Sequence, residues 1–118
     1  MRSVGVNSCV VRLASVDGAA ITTTEGLGNS RDGYHPVQER VVGYNGSQCG
    51  FCTPGMVMAM YSLLSEKEAQ GEDVLAEDIE RRFDGNICRC TGYVKIIEAV
   101  QFAVDEIKAN PNSKQEAA

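Results

Sequence analysis

The chain has 118 residues, 43% apolar and 23% charged, enough for one ordinary domain or two very small ones around a modest core. Its formal charge is −5 and its pI about 4.8, with basic residues scattered and not gathered into a stripe, which argues against an electrostatic grip on nucleic acid or anionic lipid. No apolar run approaches the roughly 20 residues needed to cross a bilayer, and the apolar stretch in "MRSVGVNSCVVRLAS" is too short for a signal peptide, so the expected compartment is the cytoplasm.

In chain order, residues 6–14 ("VNSCVVRLA") and 19–24 ("AAITTT") are β-branched and apolar, with Asp17-Gly18 between them, and predict a short β-hairpin. "EGLGNSRDGYHP" then reads as a loop and a boundary; its "GLG" lacks the strand-GxGxxG-helix context of a phosphate cradle. His35, the single histidine, sits between Tyr34 and Pro36 and reads as a surface or capping residue at a helix start, not a metal ligand. A first helix is predicted from Pro36 to Gly46, with Val37, Val41 and Tyr44 on one face. A second begins with Thr53 as N-cap and Pro54 at the first position, and Met56, Val57, Met60, Leu63 and Leu64 form its apolar stripe. Its methionines (Met56, Met58, Met60) read as core filling and not as soft-metal ligands. Leu75, Ile79 and Phe83 mark a short third helix ending at Gly85-Asn86, with the acidic run "EDVLAEDIE" as its solvated face and first turn. Tyr93, Ile96, Ile97, Val100, Val104 and Ile107 trace one face of a fourth, from Gly92 to about Ala109, where Asn110-Pro111 stops it. The expected divisions are a β piece at 1–26, a linker at 27–35, a helical unit at 36–109 and a frayed tail at 110–118.

Five cysteines cannot all pair, and cytosolic thiols stay reduced, so a disulfide framework is the weaker reading and metal the stronger. Cys49 and Cys52 form C-x-x-C, Cys88 and Cys90 form C-x-C, and the exits "CTPG" and "CTGY" repeat, which implies pseudo-symmetry. Each pair precedes a helix, whose unsatisfied N–H groups and positive dipole end favour an anionic group. A 2Fe-2S cluster on four thiolates fits that environment. Structural zinc also takes four thiolates, although C-x-C is tighter than the usual C-x2-4-C; a redox disulfide at Cys49-Cys52 lacks the βαβ context it needs. Spacing alone prefers iron-sulphur and leaves zinc open. Arg89, between two of the cysteines, either faces solvent or places positive charge beside them.

"SQCGFCTPGMVM" and "GNICRCTGY" closely resemble the signature of the helical iron-sulphur domain of the xanthine dehydrogenase and aldehyde oxidase family of molybdenum hydroxylases. "TTTEGLG" and "HPVQER" resemble that family in the same order, extending the likeness from about Asn7 to Val100. The resemblance implies a mainly α fold: a four-helix 2Fe-2S-binding domain with pseudo-two-fold symmetry, preceded by a hairpin remnant of a β-grasp ferredoxin-like domain. It implies one cluster on Cys49, Cys52, Cys88 and Cys90, with Gln48 and Cys90 facing the pterin of a molybdenum cofactor carried by another domain or subunit. In that family a purine, another N-heterocycle or an aldehyde is hydroxylated at molybdenum, and electrons pass through this cluster to a second, plant-ferredoxin-type cluster and on to FAD. The implied role is therefore an oxidoreductase component with no catalytic residue of its own, partnered by molybdopterin- and FAD-binding domains or subunits and by neither nucleic acid nor membrane.

The chain departs from that pattern in two places. A plant-type cluster needs C-x4-C-x2-C and a distant fourth cysteine, and only Cys9 in "NSCVV" matches, at the place of the fourth ligand. A fragment, a split subunit or a divergent one-cluster protein would each account for this, and the incomplete hairpin favours the fragment. "VKI" follows "CRCTGY" where many xanthine dehydrogenases carry Arg-Pro before Ile. The competing functions are a non-enzymatic helical interaction module stapled by a zinc ion on the four cysteines, and an inert truncated product without a stable fold.

Overall fold

The computed structural model describes residues 3–111. It is mainly helical: α1 (Thr24–Leu27), α2 (Pro36–Gly43), α3 (Thr53–Gln70), α4 (Ala76–Arg82) and α5 (Val94–Ala109), with short 3-10 turns at Ser8–Val10, Leu13–Val16 and Phe83–Gly85. No helix among the described residues is long and apolar enough to cross a membrane.

α2 starts where the sequence places it. Pro36 supplies the fixed φ of a first helical residue, and His35 caps by accepting the Val37 N–H at Nδ1 (3.2 Å) while its own N–H donates to Gln38 Oε1 (2.9 Å). The His35 ring is buried edge-on against Tyr61, with centroids 5.4 Å apart, so it is a cap and not a surface residue. The Gln38 amide also donates to the Thr24 carbonyl (3.1 Å), fastening α1 to α2. α2 ends at Gly43, short of the expected Gly46, because Asn45 turns left-handed (φ 57°) and a Schellman turn closes with Gly46 N–H on Val41 O (2.7 Å) and Asn45 N–H on Val42 O (3.1 Å).

The core lies where the helical stripes converge. α2 packs chiefly on α5, while α3 meets α1, α2 and α4. Met56, Met60, Ile79, Ile96, Val37 and Val41 are essentially removed from solvent, confirming the methionines as packing residues. Leu75, expected on the inner face of the third helix, instead precedes α4 and is 62% exposed; Asp78 of the acidic first turn accepts its N–H (3.0 Å). Leu27 of the four-residue α1, 4% exposed, completes one end of the core. Gly28 beside it has no room for a side chain: a Cβ there would stand 2.7 Å from both the Gly33 carbonyl oxygen and the His35 nitrogen, so the "GLG" glycine serves close packing.

The expected hairpin at residues 6–14 and 19–24 does not form. Its turn does, with Ala19 N–H on Val16 O (3.0 Å), but Asp17 (φ −59°, ψ 128°) and Gly18 (φ 72°) make it type II, whose twist splays strands instead of pairing them. Val4, Val6, Val10, Leu13 and Ile21 are all at least 65% exposed. An isolated hairpin is marginal in water, and most side chains of this segment stay exposed. The tail expected at 110–118 falls, beyond Pro111, outside the described residues.

Candidate metal centre

The first cysteine pair is built by the turn that ends α2. From Gly46 the chain runs through Ser47 and Gln48 to Cys49, bends at Gly50 in the left-handed region (φ 83°), and enters α3 with Cys52 as the N-cap. This corrects the expected cap: Thr53 is already helical, and its hydroxyl pairs with the Ser47 hydroxyl (2.9 Å) instead of with the helix's free amides. Cys49 and Gln48 are exposed, Cys52 is half-buried against the core, and Phe51 between the two cysteines is 96% exposed.

The second pair hangs between α4 and α5 and is more tightly held. Cys88 is buried in the core. Its N–H donates to the Tyr93 hydroxyl (3.0 Å), the Thr91 hydroxyl stands 2.9 Å from its sulphur, and the Thr91 N–H donates to the same sulphur (3.4 Å). Tyr93 N–H in turn donates to Thr91 Oγ1 (3.2 Å). To make this turn Gly92 and Tyr93 both adopt positive φ (67° and 70°), a conformation strained for an aromatic residue. Cys90, Arg89 and Ile87 are exposed. The loops meet at Gly55 of α3, where a Cβ would lie 3.0 Å from Asn86 Oδ1.

Across the loops the thiols act on one another crosswise, Cys49 with Cys90 and Cys52 with Cys88. In the outer pair the Cys49 thiol is lowered, first by the Phe51 amide and then by the Cys90 thiol, while Cys90 is raised, first by Cys49. In the inner pair burial, reinforced by Cys88, pushes Cys52 up to about 11. Cys88 is brought down to about 7 by the Thr91 hydroxyl and then the Thr91 amide, which outweigh desolvation. Amides of Cys49, Phe51, Cys90 and Thr91 thus face the sulphurs, a set of donors suited to an anionic group.

The implied 2Fe-2S cluster fits these residues, since a two-iron cluster asks for sulphurs two by two with donors around them. A single zinc would instead ask for the four sulphurs gathered about one point. Cys9 lies exposed on the 3-10 turn Ser8–Val10, and His35 is committed to its cap. Reading the sequence missed Ser47 and Thr91 and assigned Tyr93 to an apolar stripe; the repeated threonine in "CTPG" and "CTGY" was the available signal.

The profile of the 2Fe-2S binding domain family matches residues 23–101. The chain is 48% identical over 102 residues to the abscisic-aldehyde oxidase of Arabidopsis thaliana, covering 85% of this chain and 8% of that protein. It is 50% identical over 96 residues to the xanthine dehydrogenase of Dictyostelium discoideum, covering 81% of this chain and 7% of the relative. Among solved structures, quinoline 2-oxidoreductase from Pseudomonas putida 86 superposes with a TM-score of 0.73 at 30% identity, covering 96% of this chain and 64% of that one. The chain thus spans less than a tenth of the length of these two curated relatives.

Proposed function

The chain belongs to the 2Fe-2S binding domain family found in xanthine dehydrogenases and aldehyde oxidases, and from that membership we propose that it is the electron-relay portion of a molybdenum hydroxylase. The cluster, when bound, accepts and passes on one electron at a time. Cys49 and Cys90 would hold its outer iron and Cys52 and Cys88 its inner one, with the two halves "SQCGFCTPG" and "GNICRCTGY" related by pseudo-two-fold symmetry. The observation that carries this reading is the crosswise pairing of four thiols under backbone donors.

Electrons would enter at the exposed edge formed by Gln48 and Cys90, against a molybdopterin held by another domain or subunit, and leave toward a second cluster and FAD outside the described residues. Substrate, a purine, another N-heterocycle or an aldehyde, would be hydroxylated on that partner and not here. Cys9 would serve the second cluster only alongside cysteines that this chain does not supply. The exposed apolar side chains of residues 4–21 support a further unit covering that segment.

The test is to supply the chain with iron, sulphide and thiol anaerobically and to measure metal and sulphide content, visible absorption and the low-temperature EPR of the dithionite-reduced protein. Two irons, two sulphides and one reducible spin per chain are expected. A colourless protein holding one zinc and no sulphide would sink the proposal.

A further inference from the structure

Three features lie outside the relay as described: the polar hollow between α3 and α4, the Tyr44–Phe102 stack on the α2–α5 face, and the hydrogen-bond circuit around Cys88. The hollow is lined by Glu66, Lys67, Asp78 and Arg82, and their charges already neutralise one another. Nothing in the structure shows what would cover the stack. The circuit is different, because its hydroxyl has one outlet.

Thr91 Oγ1 accepts the Tyr93 N–H at 3.2 Å and stands 2.9 Å from Cys88 Sγ; a cluster-ligating Cys88 is a thiolate with no proton to give, so in that contact the Thr91 hydroxyl is the donor. The left-handed turn at Gly92-Tyr93 and the Tyr93 hydroxyl on the Cys88 N–H fix both ends of that contact. The matching residue of the first motif, Thr53, spends its hydroxyl on Ser47. Two loops with the same Cys-Thr exit therefore differ in one respect that bears on charge: only the second aims a hydroxyl donor at sulphur. We infer that Thr91 is a positioning residue which, through its hydroxyl hydrogen bond to Cys88 Sγ, raises the reduction potential of the cluster. A donor to a ligand sulphur stabilises the state with more negative charge, and reduction adds one electron to the site, so removing the donor disfavours reduction.

This inference rests on the ligand assignment above, and its test separates the two. The full chain, loaded with iron and sulphide, is titrated by EPR-monitored potentiometry alongside Thr91→Val, Thr91→Ala, Thr91→Ser and Thr53→Val, with iron content and far-UV circular dichroism measured on each. Thr91→Val and Thr91→Ala are expected to lower the ratio of reduced to oxidised cluster at a fixed poise by about three- to tenfold, tenfold being about 59 mV for a one-electron couple. Thr91→Ser restores the parent value, and Thr53→Val leaves it unchanged. If both donorless variants titrate with the parent, if Thr53→Val shifts it equally, or if they lose iron while remaining helical, Thr91 does not tune the potential. A parent chain that takes up no iron and sulphide overturns the proposed function, and this assignment with it.

Discussion

The two cysteine loops carry nearly the same words and are held in different ways. The first, ending in "CTPG", runs straight into α3 with a single left-handed residue, Gly50, and its threonine bonds to a serine. The second, ending in "CTGY", needs two consecutive left-handed residues before α5, and its threonine and tyrosine both bond to a cysteine. A repeated motif can fix where sulphurs go without fixing what surrounds them. The surroundings come from the residues beside the motif: Pro54 continues a helix at once, whereas Gly92 allows a detour that brings a tyrosine hydroxyl back to the loop.

The largest test of that contrast is ligand removal. Cys52→Ser and Cys88→Ser are both expected to abolish the EPR signal and most of the bound iron; a cluster retained in either would show that its loop is dispensable. Next come the buried side chains in the first turn of the helix that follows each loop, Met56 of α3 and Ile96 of α5, each 1% exposed. Met56→Ala and Ile96→Ala should each cost about 2–5 kcal/mol in chemical denaturation, and a much smaller loss on one side would mean that its loop is not seated on the core. Tyr93→Phe strips the acceptor from the Cys88 N–H and is expected to cost about 1–3 kcal/mol, while Phe51→Ser in the first loop, where the ring is 96% exposed, changes stability by less than about 0.5 kcal/mol. Gly50→Ala and Gly92→Ala meet no close neighbour, so each reports left-handed strain alone, about 1–2 kcal/mol; a larger loss at Gly92 would show that Tyr93 cannot adjust.

The smallest effect concerns acid. Arg40 Nε donates to Glu106 Oε2 (2.8 Å), tying α2 to the helix that follows the second loop, and Arg40 holds the Glu106 carboxyl below its ordinary value. A depressed folded-state value means that this contribution is present above the unfolded carboxylate range, near pH 4.3, and is lost as pH falls through the lower folded value. Both side chains are over a third exposed, so the contribution is screened and small. Glu106→Gln should flatten the acid end of the stability-pH curve slightly and leave neutral pH nearly unchanged; an unaltered acid limb would mean that the pair adds nothing.

The helices were legible because burial imposes a period. Val37, Val41, Met56, Met60, Ile96, Val100 and Val104 announced the inner faces, and those residues are the core. The cysteine pairs were legible as a chemical pattern, down to their position ahead of α3 and α5. The hairpin was misread because β-branched residues around Asp-Gly state a local preference, whereas strand pairing needs a sheet to lean on and a turn of the right twist. α1 escaped notice because four residues carry no periodicity; only Leu27, inside the core, betrays it. The circuit of Thr91 and Tyr93 was invisible for another reason: it depends on a positive φ at a tyrosine, which no side-chain pattern reports.

The four sulphurs also differ in their distance from water. Cys49 and Cys90 stand at the surface beside the exposed Phe51 and Ile87, while Cys88 is buried and Cys52 half-buried. Were these four sulphurs to hold the proposed cluster, its assembly and decay would have a direction. Iron and sulphide arriving from solvent would meet the outer pair first, and dioxygen or a chelator would begin its work there. The working lifetime of such a centre would then be set less by how firmly the helices are packed than by how promptly another surface closed over that edge.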